Sequence, residues 1–296
     1  MSALRRPEKS TIDRLRPLPV PRALRAGFRI AGAVAPALAV SAARRLFFTP
    51  PRQRPRPEQS GVLASGRRLE IATSEGRIAA WSWGRGPSVL LLHGWGGHAG
   101  QLAPFVAPLR RRGFRVVAFD LPGHGDSPGR QASIRHFARA IGEGAEAFGP
   151  LAGIVAHSFG GAAATLAFDH GLYARAAVYV APPSRFDTFF ARAAEGFGLD
   201  GRLRGRFERL AQDWVGLRFE EVEPRRLARH QDAPLLVVHD RGDDEVPFEE
   251  GEELARLWPG AELELTDGLG HYRILRDPGV VERAAEFLAS RAAAPR

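Results

Sequence analysis

From about residue 61 the apolar positions fall into two rhythms. Short, almost wholly apolar runs recur as SVLLL (88–92), FRVVAFD (114–120), GIVAH (153–157), AAVYVA (176–181), PLLVVHD (234–240) and AELELTD (261–267). Runs of this length, rich in β-branched residues, fit parallel strands covered on both faces. RRLEIAT (67–73) and RIAAWSW (77–83) are less uniformly apolar and read as paired strands near a sheet edge. Between these runs, 99–112, 132–148, 159–170, 248–257 and 278–292 have helical spacing. Strands alternating with helices predict an α/β fold with a doubly wound, mostly parallel sheet. Residues 184–232 interrupt the rhythm with two or three Arg-rich amphipathic segments. An insertion that long predicts a small helical lid placed before the late strands. The expected organisation is a domain over 61–296, with its lid at about 184–232, preceded by an arm over 1–60.

Charge separates the arm from the body. The 296 residues carry 42 Lys and Arg against 33 Asp and Glu. Residues 1–68 hold 15 of the former and 3 of the latter, so the other 228 residues keep 27 and 30 and are mildly acidic. Lys9 is the single lysine, and arginine is favoured along the whole chain. That bias points away from phosphate recognition, and no nucleic-acid partner is expected. The arm is basic and Ala/Pro-rich, with an apolar stretch over 30–43 interrupted by Pro36. Fourteen residues are too few to span a bilayer. The outline of a signal peptide is there, but the leader is too long and its core too weakly hydrophobic. Arg22, Arg25 and Arg29 at helical spacing, with Phe47-Phe48 as an anchor, predict a helix lying on the body or on an anionic membrane surface. A partly disordered tail ending in a stiff linker over 50–57 is the competing expectation. Zero cysteines exclude disulfides and thiolate metal sites. A cytoplasmic, membrane-peripheral protein is expected.

One stretch carries the chemistry. In GIVAHSFGGAAATLAF (153–168) an apolar strand meets a turn of His157, Ser158 and small residues, and a helix follows. A serine on such a turn projects its hydroxyl above the sheet, and the turn needs tiny neighbours. Gly160 stands two positions after the serine and Ala156 two before it. The Phe159 N–H, at the helix start, can donate to a developing oxyanion. Downstream, Asp243 lies in VVHDRGDDEVPFEEG and His271 in DGLGHYRIL. The order Ser158, Asp243, His271 is the one this architecture demands: Ser158 attacks, His271 takes its proton and Asp243 orients the imidazole. Upstream, LLLHGWGG leaves a strand, and the Trp95 N–H can supply a second oxyanion donor.

Together these segments resemble the α/β-hydrolase superfamily of serine esterases and lipases, over roughly residues 65–292. The motifs are His93-Gly94-Trp95-Gly96-Gly97, Asp120-x-Pro122-Gly123-His124-Gly125-x-Ser127, His157-Ser158-Phe159-Gly160-Gly161, Asp243-x-x-Val246-Pro247 and Gly270-His271. The resemblance implies a nucleophile elbow at Ser158, oxyanion donors at Trp95 and Phe159, and a lid formed by the long insertion. Ala156 departs from the family's usual glycine, and a slight shift of the elbow is expected. A serine at 158 disfavours the dehalogenase and epoxide-hydrolase branches, whose resemblance would need an aspartate there. Carboxylic esters are the expected substrates, with thioesters and carbon–carbon bonds open. The aromatic lid (Phe186, Phe189, Phe190, Phe197, Phe207, Trp214, Phe219) favours an apolar acyl or alcohol part.

Other readings compete. His93 and His124 are expected to brace loops, and His157 to pack beside the serine. Asp240, Asp244 and Glu245 could replace Asp243 as the orienting acid; the Val-Pro pair sets the register chosen here. Gly94-x-Gly96-x-x-Ala99, followed by Asp120 at the end of the next strand, also matches a dinucleotide-binding fingerprint, which would make the protein an NAD(P)-dependent oxidoreductase. That reading leaves the Ser158, Asp243 and His271 order unexplained. A binding protein of this fold without activity is the third reading. No metal site is expected from the histidine and acid spacings, and no cofactor.

Overall fold

The computed structural model describes residues 20–292. Eight strands form one sheet: β1 (Arg67–Thr73), β2 (Gly76–Trp83), β3 (Ser88–Leu92), β4 (Arg115–Phe119), β5 (Leu151–His157), β6 (Ala177–Val180), β7 (Leu235–Asp240) and β8 (Glu262–Thr266). Their spatial order is β1-β2-β4-β3-β5-β6-β7-β8. β1 and β2 pair antiparallel, as do β2 and β4, and every later pairing is parallel. The apolar runs of β3 to β7 thus lie inside the sheet, where both faces are covered, whereas AELELTD, expected to be covered likewise, forms β8 at the sheet edge and is only partly buried, in keeping with its three acids. Successive side chains leave β3 in opposite directions. Val89 and Leu91 join one core cluster while Leu90 and Leu92 join the other.

The helices are α1 (Arg22–Val34), α2 (Pro36–Phe47), α3 (Pro57–Ala64), α4 (Val106–Arg111), α5 (Ile134–Glu146), α6 (Phe159–Asp169), α7 (Asp187–Phe197), α8 (Gly201–Val215), α9 (Phe248–Leu257) and α10 (Pro278–Ala292), with single helical turns between. The helix expected over 99–112 divides into a 3₁₀ stretch, Ala99–Phe105, and α4. Pro104 inside that stretch removes a backbone donor and tightens the turn. The insertion consists of α7, α8 and three short turns, Phe219–Val222, Pro224–Leu227 and Ala228–His230. It packs over the carboxyl ends of the strands, above the site.

The N-terminal segment is helical. Pro36 forces Ala35 out of helical geometry (φ −141°, ψ 66°), which separates α1 from α2. α1 packs on α7 and α2 on α8. Phe28, Val40, Ala43 and Phe48 are buried in the same cluster as the insertion's aromatics. A Cβ on Gly32 would lie 2.8 Å from Leu203 Cδ1, so glycine permits the close approach of α1 to α8. The Phe47-Phe48 pair, expected as an anchor for a helix on the body or on a membrane surface, packs against the body. Phe47 sits 4.8 Å from the Phe190 ring and Phe48 4.5 Å from Trp214. α3 begins within what reads as linker; Pro57 at its first position presets the helical φ, and Leu63 is buried.

Candidate active site

β5 ends at His157, and Ser158 caps α6 with φ 51° and ψ −127°. A positive φ at a residue bearing Cβ costs roughly 1–3 kcal/mol and persists only where its surroundings enforce it. Two backbone hydrogen bonds do so: Ser158 N–H donates to Val180 O (2.9 Å), and Gly161 N–H donates to Ser158 O (2.8 Å). Gly160 is sterically required. A Cβ there would lie 2.6 Å from His93 O and 2.9 Å from Leu92 O. Phe159 opens α6, where N–H groups have no carbonyl one turn back.

The His93–Gly97 loop lies against this turn, with Gly94 so close that a Cβ would be 3.0 Å from Ser158 Cβ. Two buried histidines pin it. His93 accepts from Leu121 N–H at Nε2 (3.0 Å), so its proton sits on Nδ1, which donates to Gly94 O (2.7 Å). His124 accepts from Gly96 N–H at Nε2 (2.9 Å) and donates from Nδ1 to Pro122 O (3.0 Å). Both must therefore be neutral. Burial holds the His93 pKa well below its ordinary value and takes that of His124 down to about 4. Trp95, between them, packs edge-on against Phe159 at 5.6 Å.

His271 sits in the single turn Gly270–Arg273 after β8. Its Nδ1 lies 2.7 Å from Asp243 Oδ2. The other carboxylate oxygen of Asp243 accepts from Glu245 N–H and Val246 N–H, both at 2.9 Å. Burial disfavours the charged carboxylate, but hydrogen bonds from His239 and His271 outweigh it and hold the pKa well below the usual range. Of the acids in this cluster, Asp243 is the one bonded to His271. Asp240 is otherwise engaged: it accepts from Gly242 N–H, Thr266 Oγ1 and Leu269 N–H, joining two loops. Glu245 accepts from the Tyr272 hydroxyl (3.2 Å).

Two supporting histidines surround the pair. His157 donates from Nε2 to His271 O (3.0 Å), and burial pushes its pKa down to about 3. His239 lies outside the motifs that mark the site in the sequence. Its Nε2–H lies between Val246 O (3.0 Å) and Asp243 Oδ2 (3.3 Å), against the back of the carboxylate. Its position at the end of β7, four residues before Asp243, was the available signal.

Ser158, His271, Trp95 and Phe159 all border one cavity of about 420 Å³, with Phe186, Phe190 and Phe219 from the insertion. That volume falls within the ~300–1,000 Å³ typical of small-molecule sites. The dinucleotide reading meets an obstacle here. The Asp120 carboxylate is buried and accepts from Ala99 N–H and Asp126 N–H, both at 2.7 Å, so it braces its own loops instead of facing a ribose. Among the described residues no group of three His, Cys, Asp or Glu is placed to hold a metal ion.

A family model described as the alpha/beta hydrolase family matches residues 89–284. A pimeloyl-[acyl-carrier protein] methyl ester esterase of Methylococcus capsulatus is 60% identical over 45 residues, which is 15% of this chain and 17% of that protein. The enzyme of the same name from Vibrio vulnificus is 26% identical over 241 residues, 66% of this chain and 91% of its own length. Among solved structures, an esterase of Pyrococcus furiosus superposes with a TM-score of 0.63 at 22% identity, covering 83% of this chain and 100% of that one.

Proposed function

The chain belongs to the α/β hydrolase family, and from that premise we propose that it is a serine hydrolase of carboxylic esters with an apolar acyl or alcohol part. The observation that carries this reading is the His271–Asp243 hydrogen bond, which opens onto the cavity where Ser158 sits on its strained turn. In the proposed reaction Ser158 Oγ attacks the ester carbonyl carbon while its proton passes to His271 Nε2. Trp95 and Phe159 N–H groups stabilise the resulting oxyanion. As the intermediate collapses, the carbon–alkoxide bond breaks and the alcohol leaves with the proton from His271. Water then attacks the acyl-enzyme, giving its proton to His271; the acid departs and Ser158 regains a proton. Asp243 fixes the imidazole with its proton on Nδ1 and stabilises the imidazolium. No cofactor enters this scheme.

Relatives named as methyl ester esterases support the ester reading. The aromatic cavity supports an apolar group. A fluorophosphonate probe should label Ser158, mapped to the peptide containing AHSFGG, and Ser158→Ala should remove both labelling and turnover of activated esters. A folded wild-type protein that neither labels nor turns over esters would sink the proposal.

We also propose that the arm's outer side makes peripheral contact with anionic membrane. Ile30, Val34 and Leu38 are 67, 78 and 72% exposed on a strongly basic segment. Among the described residues no helix is long and apolar enough to cross a bilayer.

A further inference from the structure

The cavity at Ser158 is bordered by residues that precede the first strand. Leu46, Phe47, Phe48, Thr49, Pro51 and Gln53 all line it. On one side this segment meets the insertion through rings: Phe47 lies 4.8 Å from Phe190 and 5.6 Å from Phe207, and Phe190 stacks on Phe219 at 4.4 Å. On the other side it is tied to the body through its backbone and Arg52. Ala132 N–H donates to Phe48 O (2.9 Å), and Gln131 Nε2 donates to Arg45 O (3.0 Å). The Arg52 guanidinium donates to Gly125 O (3.0 Å), Ser127 O (2.8 Å) and Gly129 O (2.8 Å). Pro51 reaches the His93–Gly97 loop so closely that a Cβ on Gly96 would sit 3.0 Å from its Cγ. A segment so fixed cannot leave the pocket without breaking both sets of contacts.

We propose that residues 46–53 form the specificity wall of the Ser158 site, setting the length of the acyl chain it accepts, with the Phe47 ring limiting the space beneath Phe190. This rests on the serine-hydrolase reading. The wall is apolar where it meets the insertion, and its Arg52 guanidinium is engaged with the Gly125, Ser127 and Gly129 carbonyls and does not line the cavity, so it selects among hydrocarbon chains by volume. Truncating Phe47 opens room for added methylenes. Building a large side chain at Thr49, an exposed rim position, closes it without disturbing the core.

The experiment measures kcat/KM for p-nitrophenyl acetate, octanoate and laurate with wild type, Phe47→Ala, Thr49→Trp and Arg54→Ala, the last an exposed position outside the cavity lining. Phe47→Ala should raise the laurate-to-acetate ratio about ten-fold, the scale on which one or two methylenes are discriminated. Thr49→Trp should lower it by a similar factor, and Arg54→Ala should leave it within two-fold. Ratios unchanged in folded Phe47→Ala and Thr49→Trp would overturn the proposal, as would an equal shift in Arg54→Ala. Chain-length-dependent quenching of tryptophan fluorescence by butyrate, octanoate and laurate is read in parallel. A wild type without ester turnover or probe labelling, whose fatty-acid preference still moves with Phe47 and Thr49, would sink the hydrolase reading alone. Turnover and labelling with no movement in either readout would sink the wall alone.

Discussion

Asp243 shows how a single carboxylate is committed on every side. One oxygen is held by two backbone N–H groups and the other by His271, with His239 behind it. An asparagine there keeps the acceptor for the backbone but turns an NH₂ toward the His271 N–H, so the ring must adopt the other tautomer and loses its charge partner. Asp243→Asn should therefore fold normally and lose about 10⁴-fold in kcat, the loss known for this change in a serine triad. Asp244, exposed one residue on, has no such contacts, and Asp244→Asn should stay within a few-fold. Steady-state kinetics of the two variants decides the register, and the reverse ranking would refute it. The pairing of Asp243 with His271 was legible because the Val246-Pro247 pair fixed the count. His239 was not, because nothing in VVHD distinguishes a strand-end histidine that packs from one that supports a carboxylate.

At the level of elements, the base of the insertion hangs on α9. Glu250 is buried and accepts from Ser184 N–H (2.8 Å), Arg185 N–H (3.2 Å) and Thr188 Oγ1 (3.3 Å), while Glu253 pairs with the Arg185 guanidinium (3.0 Å). Burial outweighs these hydrogen bonds and raises the Glu250 pKa to about 7 from its ordinary value. A raised acid keeps its proton in the folded state over a range where the unfolded chain has lost it. Its contribution to stability is thus full below about pH 4.5 and falls as pH rises toward 7. Glu250→Gln keeps the acceptor without the titration. Its Tm relative to wild type should climb between pH 5 and pH 8, and a difference flat with pH would refute the assignment. The strands were legible almost to the residue because a sheet covered on both faces demands continuous apolar runs; β1, β3 and α10 have the expected bounds. The N-terminal helices were less so. Their apolar residues are small and split by Pro36, and the surface they cover belongs to α7 and α8, far away in sequence.

Taken whole, the molecule uses its first described helices twice, one side against the insertion and the other toward solvent. Phe28, Val40 and Phe48 on the inner side each contribute about 1.5–3 kcal/mol by burial. Deleting the arm would expose the aromatics beneath it, so membrane contact is better tested by point changes on the outer side. With Ile30→Glu and Val34→Glu, sedimentation with phosphatidylglycerol vesicles should fall sharply at low salt. Wild-type binding should weaken toward 1 M salt, where screening shortens to roughly 3 Å. Vesicle binding indifferent to both would refute the contact. The Arg52 clamp on the carbonyls of Gly125, Ser127 and Gly129 has a further consequence in time. On the ribosome the arm emerges well before the loop it grips and the helices it covers. Until then α1 and α2 have no surface to dock on, and closing so long a loop is slow. The arm can dock only after residues 184–215 have been made, and until then the pocket lacks the wall that Leu46, Phe47, Phe48 and Pro51 supply.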